Sequence, residues 1–378
     1  MLGDTSETQK IQLNSVLFAF LAGFLAVYLF VPMGQKATKL PAHFPAWGPH
    51  LPSGEQRVAV ITGANSGLGY ECAKQMLIQG YRVVIACRNP AKAEAAVQSL
   101  VEQTSQPDSI SSMTLDVSSL ASVNSFAQEY LSDESRKIHV LVCNAGIMMG
   151  AQRTSADGFD LQLATNYLGH FHLVNLLRDR LVASAPARVI HVSSIAARFG
   201  HIYWDNINFT NVYYDSLRAY QQSKLLQVVY SRELAKRLEG TGVTSNSLEP
   251  GIVKTSLSEG ITDDPSMRRR LENGVSVEEG VKTHIKLATG PIEGTTGEHW
   301  ENEIIISQGL QKFKYLMAAH DLRASVGPKL WDFTEELIRP KLEALEAASG
   351  GGTAVNKETV KKNIDDKGAK NHQNGDGL

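Results

Sequence analysis

Short apolar runs alternate along most of the chain with longer segments in which apolar residues recur every three or four positions. The runs predict strands at residues 57–62, 82–87, 111–116, 138–143, 187–193 and 243–248. The segments between them predict helices at residues 67–80, 91–104, 118–132, 158–184, 217–240 and 275–289. This alternation indicates one α/β domain over residues 57–345, with a doubly wound parallel sheet and helices on both faces.

A different pattern precedes the first strand. Every residue from 16 to 31 is apolar, aromatic or glycine, and Ile11 and Leu13 extend the stretch. About twenty such residues cross a bilayer as a helix. Residues 11–31 therefore predict an uncleaved transmembrane helix, within an N-terminal tail and anchor at residues 1–31. A cleaved signal peptide fits less well, because bulky residues occupy the place of a cleavage site. A buried core helix is disfavoured because the segment has no polar face.

The charges that flank the apolar stretch predict its orientation. Lys10 precedes it, whereas Lys36, Lys39 and Arg57 follow it. Because positive residues favour the cytoplasmic side, the main domain is expected in the cytosol, on the endoplasmic reticulum or a lipid-droplet surface. The margin is small, and a sequon at Asn208 would be available if the domain were luminal.

Two segments that flank the domain differ from it in composition. Residues 32–56 are rich in Pro and Gly and include Phe44 and Trp47, which predicts an extended linker resting on the membrane interface. Residues 346–378 are rich in Gly, Asn, Lys and Asp and have few aliphatic side chains, which predicts a disordered tail.

Charge and cysteine usage narrow the classes of partner. The net charge is −2 with no long basic stripe, which argues against a nucleic-acid partner. Cys72, Cys87 and Cys143 fall in predicted helices and strands. They fit small buried residues in a reducing compartment better than a disulfide framework or a metal site, and no metal is expected.

A glycine-rich run, Thr62-Gly63-Ala64-Asn65-Ser66-Gly67-Leu68-Gly69, joins the first predicted strand to the first predicted helix. In such a turn the first glycine permits a tight bend and the second a close backbone approach to a pyrophosphate. The third lets helix and strand pack closely. The helix N-terminus then offers free N–H groups to phosphates. The run predicts a dinucleotide site in a Rossmann-type fold.

A second run, Tyr220-Gln221-Gln222-Ser223-Lys224, places a phenol and an ammonium group one helical turn apart on the same face. A cation at this distance favours phenolate, so Lys224 is expected to lower the pKa of Tyr220 toward that of a working proton donor or acceptor. Either run alone could be an ordinary turn or a solvated helix face. Their order and separation favour a shared function.

Together with further markers, the two runs resemble the short-chain dehydrogenase/reductase family, most closely its membrane-anchored, retinol-dehydrogenase-like members. The match runs in order from about residue 57 to about residue 300. The resemblance implies an oxidoreductase that interconverts an alcohol and a carbonyl with a nicotinamide cofactor. The additional markers are Cys143-Asn144-Ala145-Gly146, Asn166, Ser193-Ser194, and Pro250-Gly251 followed by Thr255.

The resemblance also implies a catalytic tetrad. Tyr220 would exchange a proton with the substrate oxygen, and Lys224 would hold the nicotinamide ribose. Ser194, rather than Ser193, would hydrogen-bond the substrate oxygen. Asn166 would support a water that links Lys224 to solvent. Structural roles are the alternatives: a helix cap or kink for Asn166, a strand-end hydroxyl for Ser194, and a solvated helix residue for Lys224.

The cofactor would lie at the carboxyl ends of the strands. The second strand ends in Arg88 with no carboxylate, which favours NADP(H) over NAD(H) because guanidinium pairs with a 2′-phosphate. A solvated arginine is the alternative. Asp116 would contact the adenine ring or, alternatively, cap the helix that starts near Ser118. The implied cofactor-binding positions are Gly63, Asn65, Ser66, Gly67, Leu68, Gly69, Arg88, Asp116, Val117, Asn144, Ala145, Gly146, Tyr220, Lys224, Pro250, Gly251, Val253 and Thr255.

Aromatic residues are concentrated between Ser194 and Tyr220, in a segment that resembles the insertion of relatives acting on retinoids, steroids or polyprenoids. These side chains would line a pocket for a long apolar substrate, or pack the domain edge. They are Phe199, Tyr203, Trp204, Phe209, Tyr213 and Tyr214. Residues 256–273, with Arg268-Arg269-Arg270, occupy the position of the family's substrate lid. A tethered reductase of small xenobiotic carbonyls, a dinucleotide-binding scaffold without turnover, and a homo-oligomer all stay compatible with the sequence.

Overall fold

The structure of the protein is a computed structural model. It describes residues 47–48, 51, 53–148, 150–210, 213–255, 257, 269, 272–292, 294–306, 318 and 320–348. Within these residues, strands form one sheet of eight. They are β1 (Val58–Thr62), β2 (Arg82–Cys87), β3 (Ile110–Thr114), β4 (Val140–Cys143), β5 (Ala187–Val192), β6 (Val243–Glu249), β7 (His299–Glu301) and β8 (Ile304–Ile305). Their order across the sheet is β3-β2-β1-β4-β5-β6-β7-β8.

The predicted doubly wound sheet is confirmed. All six predicted strands are present, with ends within two residues of the prediction. The order of strands reverses between β1 and β4, which is the position where such folds bind ligands. Neighbours pair in parallel as far as β7, but β8 runs antiparallel to β7. The prediction of a wholly parallel sheet is therefore wrong at this edge, because β7 and β8 are too short to show a period in the sequence.

Helices fill the connections between strands. They are α1 (Gly67–Ile78), α2 (Pro90–Thr104), α3 (Leu120–Leu131), α4 (Leu161–Leu163), α5 (Gly169–Ala183), α6 (Ser216–Arg237), α7 (Val277–Gly280), α8 (Lys282–Thr289) and α9 (Val326–Ala348). A π-helical turn, Ala164–Leu168, joins α4 to α5. The helix predicted at residues 158–184 begins later because Asp160 caps it, accepting hydrogen bonds from the amides of Gln162 and Leu163.

The strands alternate between two hydrophobic cores, as the period of a β-strand requires. Val60, Val84 and Leu141 face one core, which α3, α5, α6 and α9 cover. The neighbouring strand residues Ala59 and Ile85 face the other, which α1, α2 and α8 cover. Helices on both faces were predicted and are confirmed, and the free cysteines Cys72, Cys87 and Cys143 are buried between these layers.

Helix α9 is an element that the sequence patterns do not predict. Its Trp331 packs against Phe171 and Tyr230, with ring centroids 5.1 and 5.6 Å away. The Thr334 hydroxyl makes a buried hydrogen bond of 2.7 Å with the Tyr167 hydroxyl. These contacts make α9 part of the domain core, and it continues to Ala348, into the predicted tail.

Several predictions fall on residues outside the described ranges. The anchor at residues 11–31 and residues 349–378 of the tail lie outside them. Among the described residues, no helix is both long and apolar enough to span a membrane. Part of the predicted linker lies within the described residues. Trp47 is buried in the domain, between the guanidinium groups of Arg57 and Arg188 at 3.9 and 3.8 Å from its ring.

Candidate active site

The glycine-rich turn between β1 and α1 leaves no room for a side chain at Gly63 or Gly69. Gly63 has a φ of +67°, and a Cβ there would lie 2.9 Å from the Cα of Ala145. A Cβ on Gly69 would lie 2.7 Å from the carbonyl oxygen of Gly63. Gly67 has a φ of +57° and faces the side chain of Thr255. The turn is therefore bent as the sequence predicts, and it lies against the loops that follow β4 and β6.

Asn144 and Thr62 fix this turn to the end of β4. The Asn144 side chain donates to the carbonyl of Thr62 at 2.9 Å, and its backbone amide donates to the Thr62 hydroxyl at the same distance. The amide of Ala145 also donates to that hydroxyl. Asn144, predicted as a cofactor contact, thus holds the glycine turn in place.

The N-terminus of α1 is suited to an anion. Ser66 makes no side-chain capping hydrogen bond, and the first turn of the helix has no acidic residue. Unpaired N–H groups and the positive end of the helix dipole favour a phosphate at this position. Beneath the turn, burial raises the pKa of the Cys87 thiol, and nearby amides of the glycine turn oppose that shift.

Tyr220, Ser194 and Lys224 meet at the carboxyl end of β5. The Ser194 side chain lies beside the Tyr220 phenol. The ammonium nitrogen of Lys224 lies 5.8 Å from the centre of the Tyr220 ring and donates to the carbonyl of Val192 at 2.9 Å. Ser193 points elsewhere, since its hydroxyl donates to the carbonyl of Lys224. The structure therefore favours Ser194 over Ser193 as the partner of Tyr220.

Burial is the main cause of the shifted pKa values of Tyr220 and Lys224. It raises the pKa of Tyr220, and the neighbouring Ser194 side chain opposes the rise. Burial also lowers the pKa of Lys224 to about 7. The expected lowering of the Tyr220 pKa by Lys224 is not met in this geometry. A buried lysine that is only partly protonated near neutral pH stabilises phenolate less than a full cation would.

Asn166 lies within the π-helical turn, fully buried. Its side-chain nitrogen donates to the carbonyl of Ile147 and to the Ser223 hydroxyl, at 3.0 and 2.9 Å. Its side-chain oxygen accepts from the Ile147 amide at 2.8 Å. A single-turn π bulge is frequent at functional sites because it redirects a side chain and frees a backbone group. A kink in its helix was the structural alternative for Asn166, and the π-helical turn lies at this residue.

Gly146 leaves a space between the side chains of Asn166 and Lys224. A Cβ at this position would lie 3.3 Å from both the Asn166 side-chain oxygen and the Lys224 ammonium nitrogen. Any larger residue would fill the gap beside Lys224. Gly146 therefore leaves space beside Lys224 for the edge of a bound ligand, on the side of the site where Tyr220 lies.

His170 makes a connection that the sequence motifs do not reveal. Its Nε2 atom lies 2.9 Å from the Thr62 hydroxyl, and its Nδ1 atom lies 3.4 Å from the Asn166 carbonyl oxygen. Burial lowers its pKa to about 4, so the ring is neutral. It joins the glycine turn to the π-helical turn. In the sequence, its one local signal is its position four residues after Asn166.

The positions predicted for the adenosine half, Arg88, Asp116 and Val117, differ in exposure. Arg88 is exposed directly after β2. Asp116 accepts from the amide and the hydroxyl of Ser118, at 2.9 and 2.6 Å, so it forms a turn before α3. The cap of α3 is Ser119, which corrects the alternative that Asp116 caps it. A Cβ on Gly169 would overlap the Val117 carbonyl, so this turn lies directly against α5.

The loop after β6 closes the other side of the site. Gly251 has a φ of +80°, directly after Pro250. Val253 is buried against Gly280 and forms a bridge with Val275. Thr255 then reaches Gly67. The loop that follows β6 and the glycine turn therefore meet, as a shared cofactor would require.

The aromatic insertion forms its own cluster. Phe209 is buried between Tyr203 and Tyr214, with ring centroids 5.4 and 6.0 Å away. Trp204 packs on Phe333 of α9, which makes it a packing residue at the domain edge. Tyr213 is 95% exposed. Of the predicted lid, only residues 257, 269, 272 and 273 are described beyond Thr255, so its arginine run lies largely outside the described ranges.

The described residues line at least two cavities. One, of about 470 Å³, is lined by Tyr203, Asn206, Phe209, Tyr213, Asp215 and Arg218, within the insertion and the start of α6. The larger, of about 1040 Å³, lies at the opposite end of the sheet, where Ala187 and Val243 begin β5 and β6. Because catalysis at a parallel sheet takes place at the carboxyl ends of strands, size alone does not identify the site.

Fold and site together define an oxidoreductase whose fold binds a nicotinamide dinucleotide. The family model for short chain dehydrogenases matches residues 57–266, and the chain belongs to that family. It is 39% identical to mouse retinol dehydrogenase 14 over 298 residues, covering 75% of this chain and 86% of that protein. Human retinol dehydrogenase 12 is 43% identical over 201 residues, covering 53% of this chain and 63% of that protein.

A solved structure supports the same assignment. The NADP active-site complex of RhlG from Pseudomonas aeruginosa has a TM-score of 0.54 and 26% sequence identity, covering 68% of this chain and 96% of that one. The chain is therefore a short-chain dehydrogenase related to retinol dehydrogenases, as its sequence motifs predicted.

Proposed function

We propose that the protein is a membrane-anchored, NADP(H)-dependent oxidoreductase that interconverts an alcohol and a carbonyl on a lipophilic substrate. The observation that carries the proposal is that Tyr220 and Ser194 lie side by side at the end of β5, next to the buried Lys224 and Asn166. A phenol held against a hydroxyl at the mouth of a dinucleotide fold is suited to proton exchange with one substrate oxygen.

The chain's own residues would handle the proton. In the direction of reduction, Tyr220 donates a proton to the carbonyl oxygen while Ser194 donates a hydrogen bond to the same oxygen. The rise in the Tyr220 pKa that burial causes keeps the phenol protonated and ready to donate. Lys224, with a pKa of about 7, can return a proton to the site at neutral pH. Bound nicotinamide supplies or accepts the hydride.

Asn166 would complete the path of the proton. Its side chain is held between Ile147 and Ser223, and Gly146 leaves a gap between it and Lys224. A water in this gap would link Lys224 toward solvent. Such a relay uses two buried polar groups that the fold has already fixed in place.

The cofactor would be held by three loops. The glycine turn with the N-terminus of α1 would bind the pyrophosphate. The residues after β4, Asn144 to Gly146, and the loop from Pro250 to Thr255 would enclose the nicotinamide half. Asp116 and Val117 would border the adenine ring.

NADP(H) is favoured over NAD(H) for a reason of charge. The exposed Arg88 follows β2 directly, at the end of the strand where a carboxylate would bind an unphosphorylated ribose. Guanidinium pairs with a phosphate through two hydrogen bonds, whereas a carboxylate would repel it. The RhlG structure is a complex with NADP, which supports the same preference.

The substrate class is proposed from the relatives and the insertion. The relatives carry the name retinol dehydrogenase. The insertion supplies a cavity of about 470 Å³, lined by three aromatic residues and by Asn206, Asp215 and Arg218. This volume lies in the usual range for a small-molecule site. The aromatic side of the cavity would suit a retinoid, steroid or polyprenoid, and its polar side would suit the alcohol or carbonyl group.

The membrane part of the proposal rests on the apolar stretch of residues 11–31. An anchor would keep the enzyme beside a lipophilic substrate dissolved in the bilayer, with residues 57–345 as the enzyme domain. Deletion of residues 1–31 should release a folded enzyme that binds NADPH into the soluble fraction. Continued sedimentation of the truncated protein with membranes would show a second attachment surface instead.

One assay separates the proposed function from its alternatives. The full-length protein in detergent is supplied with NADPH or NADH and all-trans-retinal, and separately with a panel of small ketones. Turnover of retinal with preference for NADPH supports the proposal. Rapid turnover of small ketones without retinal turnover would indicate a tethered xenobiotic carbonyl reductase. NADPH binding without any turnover would indicate a scaffold and overturn the proposal.

A further inference from the structure

A buried group of charges lies next to the site, outside the residues that the motifs identify. The guanidinium of Arg198 pairs with the carboxylate of Glu249, through Nε at 3.1 Å from Oε2 and through Nη2 to Oε1. The same Nη2 lies 3.0 Å from Oε1 of Glu301. The Glu249 side chain is fully buried and that of Arg198 is 8% exposed. A buried ion pair of this kind is costly to form and costly to break.

The sheet explains why one arginine serves two carboxylates. Glu249 ends β6 and Glu301 ends β7, and the parallel register places the two residues directly side by side. Like charges at this separation repel in a dry environment. Arg198 is the cation that lies between them, and its planar fork can bind both at once.

The pair joins two loops of the proposed site. Arg198 belongs to the 3₁₀ turn Ile195–Phe199, for which Ser194 is the N-terminal cap. Glu249 immediately precedes Pro250 and Gly251, where the cofactor loop begins. The ion pair therefore fixes the serine turn relative to the cofactor loop.

The end of the serine turn is held as tightly as its start. A Cβ on Gly200 would lie 2.7 Å from the carbonyl of Gln221, the residue after Tyr220. The turn is thus confined between α6 on one side and the ion pair on the other. Movement of Arg198 would move Ser194 with respect to Tyr220.

The geometry points to Arg198 as a positioning residue for the reaction, which sets the distance between Ser194 and the nicotinamide loop through its salt bridge with Glu249. This inference rests on the proposed function, since it assigns the ion pair to the same site. It predicts a kinetic effect beyond the loss of stability that any broken buried pair causes.

The test compares Arg198→Met, Arg198→Lys and the double variant Arg198→Met/Glu249→Gln with the wild-type full chain. Arg198→Met removes the guanidinium that pairs with both carboxylates, so both thermal stability and turnover should fall. The double variant removes one of those charges, so stability should recover in part. Turnover of retinal should stay at least tenfold below wild type, because the two loops are still not joined. Arg198→Lys should restore part of the turnover.

Arg237→Met is the matched control. Arg237 also pairs with a buried carboxylate, that of Glu233 at 2.9 Å, but near the other end of α6 from Tyr220. Its variant should lose stability without a change in kcat or in the KM for NADPH of the folded protein.

Dissociation constants for NADPH, measured by fluorescence, give a second readout that does not depend on turnover. Arg198→Met should weaken NADPH binding severalfold.

The outcomes separate this inference from the proposed function. If the wild-type protein binds NADPH but turns over no carbonyl, the proposed function fails, and the NADPH constants alone decide the inference. A double variant that is folded and has wild-type kcat, KM and NADPH affinity would overturn the positioning role. An Arg237→Met variant that changes these quantities as much as Arg198→Met does would overturn it as well.

Discussion

The side chain of Asn166 makes two hydrogen bonds with the backbone of Ile147 and so fixes the conformation of that backbone. The Asn166 nitrogen donates to the Ile147 carbonyl at 3.0 Å, and the Ile147 amide donates to the Asn166 oxygen at 2.8 Å. Ile147 follows directly after Gly146, at the loop that extends β4. This pair of hydrogen bonds therefore holds the loop after β4 against the π-helical turn.

Replacement of Asn166 by alanine should affect both stability and catalysis. The Ile147 amide and carbonyl would lose their buried partner, which costs about 1–3 kcal/mol per unsatisfied group. Turnover should fall at least tenfold, because the proton path beside Lys224 is lost. Urea unfolding and steady-state kinetics measure the two effects.

Asn246→Ala is the control for that experiment. Asn246 is buried in the same way; its side-chain nitrogen donates to the Thr295 carbonyl at 2.8 Å, and its side-chain oxygen accepts from the Glu298 amide at 3.1 Å. It should lose comparable stability and keep its turnover once folded. Equal catalytic losses in both variants would reduce Asn166 to a structural residue.

Tyr220→Phe should abolish most of the activity and leave the cofactor site intact. The change removes the only phenol proposed to exchange a proton with the substrate, and general acid–base catalysis is worth about 10²–10⁴-fold. NADPH affinity should stay close to wild type in a fluorescence titration. Tyr130→Phe also deletes a buried hydroxyl, one that donates to the Lys137 carbonyl at 2.8 Å, and should cost stability alone. Substantial turnover by Tyr220→Phe would show that the proton relay is wrong.

Lys224 should make the stability of the protein depend on pH. Its pKa falls from 10.5 to about 7 on folding, so between these values the unfolded chain binds more protons. The contribution of Lys224 to the free energy of unfolding therefore rises with pH across this window, by up to about 1.4 kcal/mol per pH unit. Below pH 7 its full unfavourable contribution is present.

Lys224→Met tests this sign. Urea unfolding at pH 7 and pH 9.5, without cofactor, should show wild type gaining stability relative to Lys224→Met at the higher pH. Lys236→Met, which changes an exposed lysine of the same helix, should show no such change. A stability difference that is constant with pH would mean that Lys224 is not held in its neutral form. With cofactor, Lys224→Met should also bind NADPH poorly.

Gly63→Ala should damage the dinucleotide site more than backbone strain alone explains. A Cβ there would meet Ala145 at 2.9 Å, in addition to the penalty for a positive φ. Gly240 has a φ of +78°, and a Cβ there would meet nothing within 4 Å, so Gly240→Ala carries only the backbone penalty, about 1–2 kcal/mol. NADPH affinity should fall at least tenfold in the first variant and stay unchanged in the second. Equal NADPH affinities of Gly63→Ala and Gly240→Ala would show that the close approach of Gly63 to Ala145 does not matter for cofactor binding.

Arg88→Asp should shift the cofactor preference. Repulsion between aspartate and the 2′-phosphate should weaken NADPH binding at least tenfold and improve the relative use of NADH. Arg82→Asp changes an exposed arginine at the opposite end of β2 and should leave the ratio unaltered. An unchanged ratio in Arg88→Asp would place this arginine outside the cofactor site.

The sequence by itself determined the strands β1 to β6, the bend of the glycine turn and the shared face of Tyr220 and Lys224. Each of these depends on residues close together in the chain, where turn geometry and helical period act directly. The same locality explains the failures. β7 and β8 are too short to show a period, and α9 is held in place by Trp331 and Thr334 through residues far away in the sequence.

Only the tertiary structure decided how the site is assembled. The bonds from Asn166 to Ile147 and from Lys224 to Val192, the link through His170 and the ion pair of Arg198 with Glu249 all join residues distant in the chain. The acidity of Tyr220 and Lys224 was likewise outside the reach of sequence reasoning. A spacing of one helical turn predicts proximity, but a pKa depends on how completely the fold removes water from both groups.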